Sequence, residues 1–119
     1  MKSQNKVTGN RGEGLAAGYL SKKGYKIIER NFRTRFGEID IVCWDGETLV
    51  FVEVKTKIGH DFGEPEEMVN KSKLAQVKRM GEVYLLEKSL DVACRVDVAA
   101  VVLENDGSVE RIEHYQAVY

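Results

Sequence analysis

A single proline and two cysteines in 119 residues mark what this chain largely does without. With apolar residues at 43% and charged residues at 31%, so little proline excludes a disordered or low-complexity chain. Cys43 and Cys94 are too few for a disulfide scaffold and have no CxxC spacing. Zinc ribbons and thioredoxin-like redox chemistry are therefore unsupported, and both cysteines read as core thiols. No apolar run is long enough to cross a bilayer, and Met1-Lys2-Ser3-Gln4-Asn5-Lys6 lacks the apolar stretch of a secretion signal. The expectation is a soluble, cytoplasmic protein with no membrane partner. Charge of one sign is also missing: 18 basic and 19 acidic side chains leave a formal net charge of -1. Any polyanion would have to be gripped by a local patch. The two histidines, His60 and His114, have no metal-ligand spacing. No Ser-His-Asp or Cys-His pattern can be placed, and the glycines form neither GxGxxG nor GxxxxGK.

The length is that of one domain, expected to span residues 1–119. Leu15, Ala16, Tyr19 and Leu20 fall at helical spacing within Asn10 to Lys23, with Gly24 placed for a left-handed cap. Tyr25 to Arg33 reads as a short strand. Phe36 to Trp44 and Thr48 to Thr56 are rich in β-branched and aromatic residues and flank Asp45-Gly46-Glu47, a strong hairpin signal. Alternation puts Ile39, Ile41 and Cys43 on one face of its first strand and Val50, Val52 and Val54 on one face of its second. Val42, Trp44, Leu49 and Phe51 make the opposite faces apolar too, so the hairpin is expected to lie centrally beneath helices. Lys57 to Val69 reads as a long loop. A second helix follows from Lys71 to Lys88, with Asn70 as its cap and Leu74, Val77, Gly81, Tyr84 and Leu85 as its stripe. Cys94 to Leu103 and Val109 to Tyr115 are strands joined at Asn105-Asp106-Gly107. The order αβββαββ predicts an α/β fold with a mixed central sheet flanked by helices.

Three ionisable residues interrupt the apolar hairpin: Asp40, Glu53 and Lys55. Such groups are rarely buried without partners. In an antiparallel pair the numbers of opposed residues add to a constant, and an odd constant puts all three on one face. A two-residue turn at Asp45-Gly46 and a four-residue loop from Asp45 to Thr48 both meet that condition, and the loop sets Asp40 opposite Glu53. Carboxylates held about 5 Å apart at Cβ repel, more so away from water. A divalent cation relieves both problems, and hard oxygen ligands without histidine or thiolate suit Mg²⁺ or Mn²⁺. Lys55 would then orient a water or offset charge on a phosphate under attack. The bland alternative is a buried carboxylate–lysine pair that satisfies itself. Glu13 lies at the core-facing edge of the first helix and would aim a third carboxylate at the sheet; its bland alternative is a solvent-facing glutamate near a helix N-terminus.

The runs Gly12-Glu13, Ala16-Ala17, Tyr19-Leu20, Arg30-Asn31-Phe32-Arg33, Gly37-Glu38-Ile39-Asp40-Ile41, Leu49 to Lys55 and Arg95-Val96-Asp97-Val98 resemble the YraN-like family of small bacterial proteins. That family is similar in turn to the restriction-endonuclease-like superfamily with its PD-(D/E)XK motif, and within it to archaeal Holliday-junction resolvases. The resemblance implies a restriction-endonuclease-like αβββαβ core and Mg²⁺-dependent phosphodiester hydrolysis. By position, Asp40 and Glu53 match the metal ligands, Lys55 the motif lysine and Glu13 the first-helix glutamate, with the Val54 carbonyl as a further metal ligand. Ile39 stands where the motif has proline. The YraN-like family brings no settled activity with it.

The leading expectation is a metal-dependent nuclease acting on DNA, branched or flapped, as a homodimer that pairs two sites. Arg30, Arg33 and Arg35, with Phe32 between them, read either as a phosphate grip with a stacking ring or as a strand edge protected by charge. Lys73 reads as a phosphate contact or an ordinary surface lysine. Glu38 is expected at the rim beside an arginine rather than as a ligand, and Arg95 with Asp97 as a structural ion pair. Two alternatives remain: a nucleic-acid-binding or assembly module that does not cleave, favoured by the near-neutral charge, and a protein-interaction domain.

Overall fold

The computed structural model describes residues 2–59 and 70–119, with side chains from residue 9 onward. Its elements are α1 (Lys2–Lys22), β1 (Lys26–Thr34), β2 (Gly37–Asp45), β3 (Thr48–Ile58), α2 (Lys71–Glu87), β4 (Cys94–Leu103) and β5 (Val109–Tyr115). The strands form one sheet in the order β1-β2-β3-β4-β5, antiparallel except between β3 and β4. Parallel neighbours require a crossover, and α2 lies in the connection that makes it. A five-stranded mixed sheet with two helices is the expected α/β architecture, compatible with an αβββαβ core.

Two boundaries differ from the sequence expectation. α1 begins at Lys2, about two turns before Asn10, because Lys2-Ser3-Gln4-Asn5-Lys6 has no apolar period to mark it. β3 runs on through Lys57 and Ile58, which pair with Val102 and Leu103 of β4, so the loop expected from Lys57 starts later. Residues 60–69 of that loop, His60 among them, lie outside the described residues.

α1 ends in a Schellman motif: Gly24, at φ 98, donates to the Ser21 carbonyl and Tyr25 N–H to that of Leu20. The helix meets the sheet through Gly12, Ala16 and Leu20, one turn apart and all buried. The stripe tapers from no side chain to a large one, so α1 comes closest to the sheet at Gly12. There a Cβ would stand 1.8 Å from Thr56 Oγ1 and 2.9 Å from Thr56 Cβ, too close for a rotamer change to relieve. α2 starts at its Asn70 cap and packs Leu74, Val77, Met80, Gly81 and Tyr84 on the opposite face of the sheet.

Val50, Val52 and Val54 share the α1 side, and Leu49, Phe51 and Val42 the α2 side, as alternation requires. Burying each such side chain is worth about 1.5–3 kcal/mol. Ile39 departs from this pattern. It packs with Phe32 and Val42 on the α2 side, whereas Ile41 and Cys43 face α1. The alternation slips across Asp40, where β2 is no longer paired with β3 and stays paired with β1 alone. Cys43 is a core thiol, but Cys94 is exposed at the first residue of β4 rather than buried.

Candidate functional site

β2 and β3 are paired from Asp45–Thr48 to Ile41–Val52. This is the register the longer loop predicted, reached through a tighter turn of Gly46 and Glu47 with Gly46 at φ 59. Past Ile41 the strands part. β2 stays on β1 as far as Gly37, while β3 stays on β4 as far as Ile58, so the sheet forks. At the fork the Val54 N–H donates to Asp40 Oδ2 at 2.8 Å, a side-chain acceptor standing in for a strand carbonyl.

A cleft of about 380 Å³ opens there. Asp40 comes to it from β2; Glu53, Val54 and Lys55 from β3; Glu13 from α1; and Lys73 from α2. The close approach at Gly12 carries its neighbour Glu13 to the sheet. Lys73 sits in the first turn of α2, where its N–H donates to Asn70 Oδ1 at 2.8 Å. Its Nζ lies 3.9 Å from Glu53 Oε1 and 3.4 Å from Gln76 Oε1. The structure thus brings Asp40, Glu53, Lys55 and Glu13, the residues singled out in the sequence, to one cleft. Lys73, read from the sequence as a phosphate contact or an ordinary surface lysine, stands beside a buried carboxylate.

Asp40 and Glu53 are 7% and 4% exposed. Burial, reinforced by Asp40, pushes Glu53 up to about 8 against the lowering influence of Lys73 and Lys55. Burial likewise raises Asp40 despite its bond from Val54, and burial with Asp40 nearby raises Glu13. Among the described residues, Glu13 Oε1 and Glu53 Oε2 are buried with no hydrogen-bond partner. A buried acceptor without a partner costs about 1–3 kcal/mol, so the cleft holds negative oxygen capacity that the chain does not consume.

That capacity fits a hard divalent cation. Among the described residues, no three His, Cys, Asp or Glu side chains form a ready-made metal cage. Mg²⁺ does not require one, since it commonly takes one or two carboxylates and keeps water in its remaining positions.

The arginines divide. Arg30 is exposed on β1 and acts on Glu13 by favouring its charged form. Arg33 Nε is 3.0 Å from Glu38 Oε2, the rim pairing expected for Glu38. Arg33, Arg35, Lys73 and Gln76 line a second hollow of about 530 Å³, which shares Glu38 and Lys73 with the carboxylate cleft. Phe32 is not a stacking ring: it is 6% exposed and packs edge-on against Tyr84, 5.0 Å between centroids. Asn31, at φ 56, precedes it and breaks the alternation of β1, so Phe32 turns inward.

A second charged group lies toward the C-terminal end of α1. Asp97, fully buried, accepts from Arg95 Nε at 3.0 Å and from the Ala117 N–H at 3.0 Å, with His114 Nε2 2.6 Å away. Arg95 also donates to Asp45 at 2.8 Å and to the Tyr25 hydroxyl at 2.7 Å. Burial opposes the charge on Asp97, but the hydrogen bonds from His114, Arg95 and Ala117 hold it below the usual carboxylate range. The expected ion pair is present, and the sequence missed His114 and Tyr25, which reach it from β5 and from the start of β1.

With this geometry in place, the chain can be set beside known proteins. Residues 12–101 match the uncharacterised protein family UPF0102, and the chain belongs to that family, the YraN-like family of the sequence resemblance. It is 43% identical over 117 residues to a UPF0102 protein of Desulforamulus reducens, with 96% of each chain covered. A UPF0102 protein of Pelotomaculum thermopropionicum is 39% identical across the full length of both. One from Geobacter sulfurreducens is 48% identical over 92% of this chain and 86% of its own. Among the described residues no helix is long and apolar enough to cross a membrane.

Proposed function

We propose that the protein is a metal-dependent nuclease that hydrolyses phosphodiester bonds in DNA, with branched or otherwise structured DNA as its substrate. The observation that carries this reading is the pair of buried carboxylate oxygens without partners, in a cleft where an amine from β3 also arrives. Asp40, Glu53 and the Val54 carbonyl would hold Mg²⁺ or Mn²⁺. When bound, such an ion supplies Lewis acidity, activating water and neutralising charge on the leaving oxygen. Lys55 orients the attacking water and offsets charge on the phosphate. Glu13 accepts hydrogen bonds from water at the mouth of the cleft. Lys73, close to Glu53, favours its ionised form and so prepares it as a ligand. Arg33 and Arg35 draw the flanking phosphates into the adjoining hollow, and Arg30 does so on the Glu13 side.

Incubating the protein with single-stranded, duplex and four-way-junction DNA in Mg²⁺ or Mn²⁺ tests this. Cleavage should occur, and should disappear with EDTA and in Asp40→Ala and Lys55→Ala. A second reading, a DNA-binding or assembly module without catalysis, draws on the net charge of -1. It predicts binding without cleavage by the unmodified protein. Absence of both would remove the two readings together.

A further inference from the structure

We propose that Phe36, at the tip of the β1–β2 turn, is a stacking platform for an unpaired base of a DNA strand entering the fork. The proposal rests on the reading of the fork as a DNA-processing site and specifies the substrate as a single-stranded segment. Phe36 is 63% exposed, whereas Phe32 and Phe51 are buried in the core. Burial does not account for an aromatic ring at this position.

The ring is carried on a braced backbone. Phe36 N–H donates to Thr34 Oγ1 at 3.1 Å, and its carbonyl accepts from Gln76 Nε2 at 3.2 Å. Gly37, at φ 148, comes so near Gln76 that a Cβ would stand 2.9 Å from Nε2. The backbone that carries the ring is therefore tied to β1 through Thr34 and to α2 through Gln76. The Arg35 guanidinium carbon lies over one face of the ring, 4.9 Å from its centroid, so a base would stack on the opposite face. Among the described residues Arg35 has no carboxylate partner.

The ring lines a small hollow of about 190 Å³ with Gln76, Arg79, Met80 and Val83, while its chain neighbours Arg35 and Gly37 line the hollow of Arg33, Lys73 and Gln76, which shares Glu38 and Lys73 with the carboxylate cleft. Along β2, Phe36 stands about 13 Å from Asp40. A base inside a duplex has both faces covered and cannot reach a lone ring. An unpaired base can, and base–aromatic stacking needs no surplus of positive charge, which this chain lacks.

The test is fluorescence anisotropy in EDTA, so that binding is read without cleavage. The probes are labelled oligothymidine, a blunt duplex, and that duplex with a single-stranded overhang. Phe36→Ala should weaken binding of oligothymidine and of the overhang about tenfold, the usual scale for one stacked base, and leave the blunt duplex unchanged. Phe36→Trp should retain tight binding. Thermal melts of both variants should match the unmodified protein, because the ring lies mostly outside the core. Equal binding by Phe36→Ala, an equal loss on the blunt duplex, or no binding of single strands by the unmodified protein would each overturn the platform. If the Phe36 effect appears but no DNA is cut in Mg²⁺ or Mn²⁺, the nuclease reading fails and the platform stands.

Discussion

At the C-terminal end of α1 both oxygens of Asp97 are occupied, by Arg95, His114 and the Ala117 N–H. At the fork, about 15 Å away along the same helix, Glu13 and Glu53 each keep a buried oxygen with no partner among the described residues. Asp97 and Glu53 are carboxylates taken out of water on one sheet, yet their protonation is driven in opposite directions: Asp97 is held low, and Glu53 is pushed up to about 8. A saturated buried charge ties elements together. An unsaturated one is a cost to the fold, and it makes sense where something from outside completes it.

The largest test of this contrast breaks the saturated group. Asp97→Ala leaves Arg95 and His114 without their buried acceptor and should cost about 3–5 kcal/mol in urea denaturation. A loss below about 1 kcal/mol would mean that the network does not hold the strands together.

The fork should respond in the other direction. The Glu53 carboxyl takes a proton more readily folded than unfolded, so its contribution to stability is complete below about pH 4.5 and is lost as the pH rises through about 8. Asp40 and Glu13, both raised, add to the same trend. In EDTA, Tm should therefore fall across that window, and Glu53→Gln should flatten the decline. Mg²⁺ at pH 8 should raise Tm again in the unmodified protein, through a stability gain of about 2.7 kcal/mol at one hundred times Kd, and leave Glu53→Gln unmoved. A Tm that rises with pH in EDTA, or an equal Mg²⁺ response in the variant, would contradict this account of the fork.

The smallest effect is at the rim. Glu38 pairs with Arg33 at a half-exposed position, so Glu38→Gln should change stability by less than about 1 kcal/mol and leave the Mg²⁺ response intact. If the Mg²⁺ response disappeared, Glu38 would be a ligand and the boundary of the site would have to be redrawn.

Much of this contrast was legible in the residues. Asp40, Glu53 and Lys55 stood out because they interrupt apolar alternation, although Asp40 lies past the end of the β2–β3 pairing and reaches β3 through the Val54 N–H. Arg95 and Asp97 could be paired because they sit two apart on one strand. His114 and Tyr25 could not be joined to them, since they arrive from distant parts of the chain and no local spacing encodes that meeting. Phe32 could be offered as a stacking ring for a similar reason. Phe32 and Phe36 both sit among arginines, and only the positive φ at Asn31 and the packing of Tyr84 decide which ring turns inward.

The amino-acid order by itself determined the succession of helices and strands, the central place of the hairpin and the set of charges that must find a purpose there. Those are properties of short windows: periodicity, turn chemistry and the cost of burying an ion. The tertiary structure alone decided where β2 leaves β3, how near α1 approaches at Gly12, and which buried oxygens go without a partner. Each depends on the packing of segments far apart in the chain, which side-chain alternation within a strand does not specify.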